Sequence, residues 1–449
     1  MASQKTHDMT TGNPLRIILM FSIPILIGNV FQQLYSMVDT VIVGQCLGED
    51  ALAAVGLTGS LVFLVLGFAN GIGQGFGVMV SQAFGAKDYK RVKHYVALSL
   101  MLTVIVSVIL TVPAVAWSKT FLTWMKAPSN VIDLSDAYIK VIFAGIILNM
   151  GYNVASGILR GIGDSKTPLY FLIFSSLLNI GLDFLLILVI PLGVAGAAYA
   201  TIISQGLSAL LCYIYMFKRF EVLKLSREDF YFDLAGVNHL LAIGIPMALN
   251  YSITAVGCIM FQTAVNKFDS TVVAAYTAAS KVHCIAYQPM PTLGTALATY
   301  CGQNLGAGRY DRIFKGMRVG FFLSFVTAAF GAFINCVCGR FLISLFLDEP
   351  NAKIYSYGMQ YLYIVSIYLI PLAWIFVYRN ALQGLNRGIV PMISGLVELI
   401  ARFLTITFCA KPFGYAGVCY ADPAAWVSTG LLLIVTYLIW KARTKKMHT

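Results

Sequence analysis

Four residues far apart in the chain share a chemical character. Asp39, Asn179, Asp183 and Thr201 offer carboxylate, amide and hydroxyl oxygens, and each stands inside a run of apolar residues. A charge in hydrocarbon costs at least about 2.5–3.5 kcal/mol, so each acid calls for a partner or a function. Asn179 and Asp183 are four residues apart, one turn along a single helix face. Asp39 lies nine residues before Gly48, Asp183 eight before Pro191, and Thr201 eight after Gly193. With those residues marking outer helix ends, a rise of 1.5 Å per residue puts all three roughly 12–14 Å deep. Hard oxygen donors suit Na⁺ or a shared proton, not a soft metal. No base is expected at that level, because Lys140 stands twenty residues before Arg160 and belongs at the outer interface beside Asp136. Two carboxylates so close cannot both stay ionised in low dielectric. Either a cation binds or one of them takes a proton.

The second half of the chain carries a different set: Lys281, Glu398, Arg402 and Asp422, two bases and two acids. Glu398 and Arg402 form an i,i+4 pair. This set is expected to balance itself as a fixed ionic network. Asp422 and Glu398 remain candidate proton carriers, and His283 could titrate near neutral pH.

The elements that must hold these residues are membrane helices. Of 449 residues, 59 % are hydrophobic and only 11 % charged. Soluble proteins carry roughly 25 % charged residues, and so few could not cover a surface of this size. The apolar runs give twelve expected spans: 15–43, 51–84, 93–117, 134–157, 168–190, 194–217, 239–265, 271–304, 313–338, 354–383, 390–410 and 415–440. Most exceed the ~20 residues that cross ~30 Å of hydrocarbon, and without water such runs must be helical. The first run is too long for a signal peptide and has no small-residue cleavage site, so it is expected to be retained. The expected fold class is therefore all-α and polytopic. Nine cysteines with no CxxC pair indicate neither a disulfide framework nor a zinc site.

Charge distribution orients the spans. The loops and tails on the side of the termini hold 22 Lys and Arg, among them Lys5, Arg91, Arg379 and Lys446; the opposite loops hold six, among them Lys119 and Lys126. Positive charge gathers on the cytoplasmic side, so both termini are expected in the cytoplasm. The net charge of +12 is thereby a topology signal, and no nucleic-acid partner is expected.

The chain also repeats. Ser81-Gln-Ala-Phe-Gly-Ala-Lys-Asp-Tyr-Lys-Arg91 returns 221 residues later as Gly302-Gln-Asn-Leu-Gly-Ala-Gly-Arg-Tyr-Asp-Arg312. Pro24 returns as Pro246, Leu159, Gly161 and Pro168 as Leu382, Gly384 and Pro391, and Gly193, Ala195 and Gly196 as Gly414, Ala416 and Gly417. Two six-helix lobes follow, 1–217 and 239–449, joined by a linker at 218–238. An even number of spans per half makes the repeats parallel, an architecture of secondary transporters that alternate access. Pro24, Pro246, Pro289, Pro291 and Pro371 lie inside the expected spans, where they kink helices and free carbonyls. The run Gly71-x-Gly73-x-Gly75-x-Gly77 has no lysine near it and reads as close helix packing, not as a phosphate loop.

Over nearly its whole length the chain resembles the bacterial multidrug and toxic compound extrusion (MATE) transporters. The resemblance rests on Asp39 in Ser36-Met-Val-Asp-Thr-Val, the Gln-x-x-Gly-Ala motifs at Gln82 and Gln303, Arg160-Gly161, and Asn179-x-x-x-Asp183 followed by Gly193-Val-Ala-Gly196 and Thr201. It implies two six-helix lobes around a central cavity, exporting cationic, amphipathic drugs against Na⁺ or H⁺. It also implies that Asp39, Asn179, Asp183 and Thr201 form the cation site, with Na⁺ the expected ion and H⁺ the alternative. A C-lobe Na⁺ site of one bacterial branch needs acids on helices 7 and 10; 240–266 and 354–383 contain none. The expectation is a monomeric antiporter of the inner membrane, with small molecules as its partners and no cofactor besides the coupling ion. The alternative within the superfamily, a lipid-linked oligosaccharide flippase, wants a basic cavity for pyrophosphate. An enzyme such as a membrane prenyltransferase would need paired Asp-rich motifs for Mg²⁺, which the sequence lacks.

Overall fold

The structure, a computed structural model, describes residues 8–125, 127–346 and 351–448. Lys5 and Lys126, two of the topology charges, lie outside them. Among the described residues the chain is helical throughout and has no strand. The helices are α1 (Pro14–Leu47), α2 (Glu49–Gly85), α3 (Tyr89–Ala116), α4 (Ser118–Trp124), α5 (Ile132–Ala144), α6 (Ile146–Gly161), α7 (Lys166–Phe184) and α8 (Val194–Arg219). After two short 3₁₀ turns they continue as α9 (Leu234–Val265), α10 (Ser270–Tyr287), α11 (Pro289–Gly306), α12 (Tyr310–Phe333), α13 (Gly339–Ser344), α14 (Ala352–Ile367), α15 (Leu369–Gly384), α16 (Ile389–Cys419) and α17 (Ala421–His448).

Nine of these stretches are long and apolar enough to cross a membrane, and two bent pairs raise the number to eleven. The expected span 271–304 is the exception. It is helical as α10 and α11, broken at Gln288, and Lys281 and His283 dilute its apolar character. In two of the three broken spans proline sits where the helix resumes, the break at Gly145 having none. Pro289 opens α11, and Pro371 lies in the first turn of α15. There the ring removes an N–H that has no helical partner in any case.

The repeat is written into the backbone as well as the sequence. Positive φ recurs at Lys87 and Gly308, at Gly163 and Asn386, and at Gly193 and Gly414, pairs 221–223 residues apart. The bend between α5 and α6 at Gly145 is 45°, and that between α14 and α15 at Tyr368 is 53°. These two breaks stand 223 residues apart. Gly414 has φ 56° and ψ −135°, close to the 61° and −143° of Gly193. Few side chains tolerate that left-handed region, so a glycine there fixes a sharp re-entry into the next helix.

The chain divides into two compact units. One comprises 8–11, 23–252 and 306–308 of the described residues; the other comprises 12–22, 253–305 and the described residues from 309 onward. In the first unit, α2 packs on α6 and α9 through its glycines. A Cβ on Gly75 would meet the backbone of Gly244 at 2.5 Å, and one on Gly77 would meet the carbonyl of Gly157 at 2.6 Å. Both glycines therefore serve backbone approach, as the spacing predicts. All nine cysteines are free.

Candidate functional site

In the first unit, α7 lies along α8, and Ser208 Oγ donates to the Phe171 carbonyl at 2.6 Å to tie them. Two turns further along α7, Asn179 Nδ2 donates to Thr201 Oγ1 at 3.4 Å. Asp183 closes the regular part of α7. The following residues, Leu185–Val189, wind into a wider π-type turn, a geometry that recurs beside functional sites. Asp183 and Asn179 are fully buried, whereas Asp39 on α1 and Thr201 on α8 are half-buried. The Asp39 and Asp183 carboxyls lie close enough to act on each other electrostatically.

The arrangement leaves acceptors open. Neither oxygen of Asp183, nor Oδ1 of Asp39, nor Oδ1 of Asn179 receives a hydrogen bond from the protein. Buried oxygens without donors are costly. A cation or a proton between the acids removes that cost. The structure thus brings together all four residues singled out in the first half, as two carboxylates, an amide and a hydroxyl.

Sequence reasoning missed the polar shell around them. Tyr35 hydrogen-bonds Gln32 and Gln205 and lies within the field of both acids, as does Tyr138. Gln205 accepts from Asn149 Nδ2 at 2.9 Å, and Asn153 Nδ2 donates to the Asn149 carbonyl at 2.9 Å. Tyr35 stands one turn before Asp39, a spacing that could have drawn attention to it. On α5, Lys140 Nζ pairs with Asp136 at 2.6 Å, the pairing that its position in the sequence suggests.

The second unit holds a closed chain of charges. Arg379 Nη2 reaches Glu398 Oε2 at 2.8 Å, Arg402 Nη2 reaches Glu398 Oε1 at 3.3 Å, and Arg402 Nε reaches Asp422 Oδ1 at 2.8 Å. Arg379 Nε also donates to Ser394 Oγ at 3.2 Å. Two guanidinium groups thus face two carboxylates. Gly257 makes the room: a Cβ there would collide with Arg402 Nη1. Membership differs from expectation at one place. Lys281 is exposed on α10 and forms no ion pair with these residues. Arg379, counted from sequence among the loop charges, is buried in α15 and takes that place. His283 is packed, its ring stacked on Trp426 and its Nδ1 facing Asn335 Nδ2 at 3.3 Å. Among the described residues no group of three or more His, Cys, Asp or Glu could hold a metal.

An all-helical, multi-pass membrane protein with a repeated half, and with acids lacking donors in one of its units, defines a class, that of membrane transporters. The comparisons make it specific. The MatE family model matches residues 24–185 and again 246–407. A probable multidrug resistance protein of Bacillus subtilis, YpnP, is 32 % identical over 90 % of this chain and 89 % of its own length. A second from the same organism, YoeA, is 31 % identical over 98 % and 96 %. A crystal structure of MATE in complex with MaL6 superimposes with a TM-score of 0.91 over 99 % of this chain and all of that one, at 22 % identity. The chain belongs to the MatE family.

Proposed function

We propose that the protein is a cation-coupled antiporter that exports cationic, amphipathic small molecules, with Asp39, Asn179, Asp183 and Thr201 as the coupling-ion site. The observation that carries this reading is the Asp183 carboxylate, fully buried, facing Asp39 and lacking any donor. Asp39 and Asp183 would supply the negative charge. Asn179 Oδ1 and Thr201 Oγ1 would complete an oxygen shell of the kind Na⁺ takes. The transported molecule need not touch the ion. It is enough that each prefers a different conformation, because linkage makes the coupling reciprocal. The substrate class draws its support from the two Bacillus relatives, whose names read probable multidrug resistance proteins. We place both termini in the cytoplasm on the strength of the positive-inside bias.

The ion is tested by thermal shift of the purified protein in NaCl, against KCl and choline chloride at equal ionic strength. A site-specific ligand at about 100 times its Kd stabilises by about 2.7 kcal/mol. Stabilisation by Na⁺ alone, lost in Asp183→Asn, supports the Na⁺ site. Equal behaviour in Na⁺ and K⁺, with uptake driven by a pH gradient in proteoliposomes, assigns the coupling to H⁺. Transport driven by neither gradient would overturn the antiporter reading.

A further inference from the structure

A second polar cluster lies at the opposite end of the first unit, where α3 begins and the linker leads into α9. Two clefts of about 500 and 380 Å³ open there, and both are lined by His94 and Tyr231. His94 is buried, with its side chain 7 % exposed. Its ring lies flat on Tyr231, the centroids 3.8 Å apart and the planes within 7°. Nδ1 faces the carbonyl oxygen of Asp229 at 3.2 Å. A carbonyl only accepts, so Nδ1 carries the hydrogen and Nε2 is the bare nitrogen of the neutral ring. Nε2 has no hydrogen-bond partner and stands 3.8 Å from Asp233 Oδ2. Two acceptors thus confront each other across a gap slightly too long for a hydrogen bond.

The carboxylates of Asp229 and Asp233 are held in place. Asp229 accepts from the Ser226 N–H at 2.7 Å and from Ser226 Oγ at 2.8 Å. Asp233 caps α9, with Oδ1 accepting from Ala235 N at 3.0 Å and Oδ2 from Gly236 N at 2.8 Å. These backbone donors, Gly236 foremost, hold the Asp233 carboxyl below its usual range, so it stays ionised and ready to receive a cation.

We propose that His94 is a proton-operated latch that fastens the linker and the first turn of α9 to α3. A proton arriving on Nε2 turns the facing acceptors into an ion pair with Asp233, while Nδ1–H keeps its bond to the Asp229 carbonyl. The imidazolium also gains from lying on the Tyr231 face. Imidazole as a class changes charge between pH 5 and 8, so acidification on this side closes the latch and alkalinisation releases it. The groups around the ring are Asp88 at the N-cap of α3, Tyr89, Lys90, Arg91, Lys93 and Tyr95 from α3, Glu228, Asp229, Tyr231 and Asp233 from the linker, and His239 from α9. The acids favour the charged ring, and the lysines and Arg91 oppose it. His239 faces Tyr95 Oη at 3.4 Å and is the other imidazole of the cluster. The lever is covalent: α9 starts in the first unit and continues into the second beyond Ser252. A proton at its first turn therefore acts on the one chain segment that leads directly from the linker into the other half.

The test is hydrogen–deuterium exchange of the full-length protein in detergent, read on peptides covering 224–240 at pH 6.0 and 7.5 and normalised to the chemical exchange rate. Wild type should be better protected at pH 6.0, by about two- to fivefold for an ion pair of this partial exposure. His94→Gln should abolish the difference, and so should Asp233→Asn, in which asparagine still caps the helix. His239→Gln should keep it. The two latch variants are read together, so that a folding defect in one leaves the other to decide. A pH difference that survives in either folded latch variant, disappears in His239→Gln, or is missing from wild type would overturn the proposal.

Discussion

The two halves share a backbone and oppose each other electrostatically. Asn179 and Arg402 occupy matching places in the repeat, as do Thr201 and Asp422, and Asp39 and Gln262. In the first half these places, together with Asp183 one turn from Asn179, bring two acids with unpaired oxygens together. In the second they hold the middle and end of the chain Arg379–Glu398–Arg402–Asp422, in which every charge has an opposite neighbour. Gln262, at the counterpart of Asp39, is turned to Asn266 at 2.7 Å. The difference teaches what each half can do. A buried ion pair that is complete needs nothing from outside, and it resists change because removing one member strands the other. A pair of acids lacking donors stays in low dielectric only where a ligand supplies the missing charge. One scaffold therefore carries a responsive half and a braced half.

The largest effect should fall on the responsive half. Asp39→Asn keeps the volume and removes the charge. Gradient-driven export in proteoliposomes should drop to the level of empty liposomes, while thermal stability without Na⁺ holds within about 0.5 kcal/mol of wild type. Full export by this variant would erase the contrast between the halves.

Breaking the braced half should do the reverse. Arg402→Ala leaves Glu398 with one partner and Asp422 with none. Loss of one member of a buried pair costs about 3–5 kcal/mol. Expression and melting temperature should therefore fall well below those of Asp183→Asn. Equal stability of the two variants would show that Arg402 is not structurally committed.

These variants also mark how far the sequence could be read. The repeat was legible because its signals are rare residues under strict geometric demand. The left-handed turns at Gly193 and Gly414 and the breaks at Gly145 and Tyr368 recur at the spacing of the motifs. The acid cluster was legible because an acid in an apolar run has few structural excuses. What the sequence hid was helix rotation. Arg379 stands seven residues before the turn at Asn386 and passes for a loop charge. Only the bend at Tyr368 and the continuation of α15 to Gly384 aim it at Glu398. Lys281 failed in the other direction. A lone charge in an apolar run shows neither which face it occupies nor where the helix breaks, and α10 turns it outward.

A subtler probe of the braced half works through volume. Gly257 borders Arg402 so closely that an added methyl meets Nη1. Gly257→Ala should push the guanidinium away from Glu398 and Asp422 and cost about 1–3 kcal/mol, the usual range for overpacking. Combining it with Arg402→Ala tests the assignment. The alanine at 257 should add little once the guanidinium is gone, and the departure from additivity measures the contact.

The smallest effect is the most discriminating about membership of the chain. Lys281 carries the same charge as Arg379, and its place inside the expected span 271–304 puts it in one set with Glu398, Arg402 and Asp422. Its exposed position on α10 predicts that Lys281→Gln shifts stability by no more than about 0.5 kcal/mol. Arg379→Gln loses the 2.8 Å contact to Glu398 and its bond to Ser394. It should cost several times more, although Glu398 keeps Arg402. Melting curves of the two single variants and the double variant, at one ionic strength, decide the matter. Charge removal is the same in both, so a general loss of positive charge would lower both midpoints alike. A midpoint that falls for Arg379→Gln alone places the brace at α15 and α16 and leaves Lys281 outside it, whereas a fall for Lys281→Gln would return it to the chain.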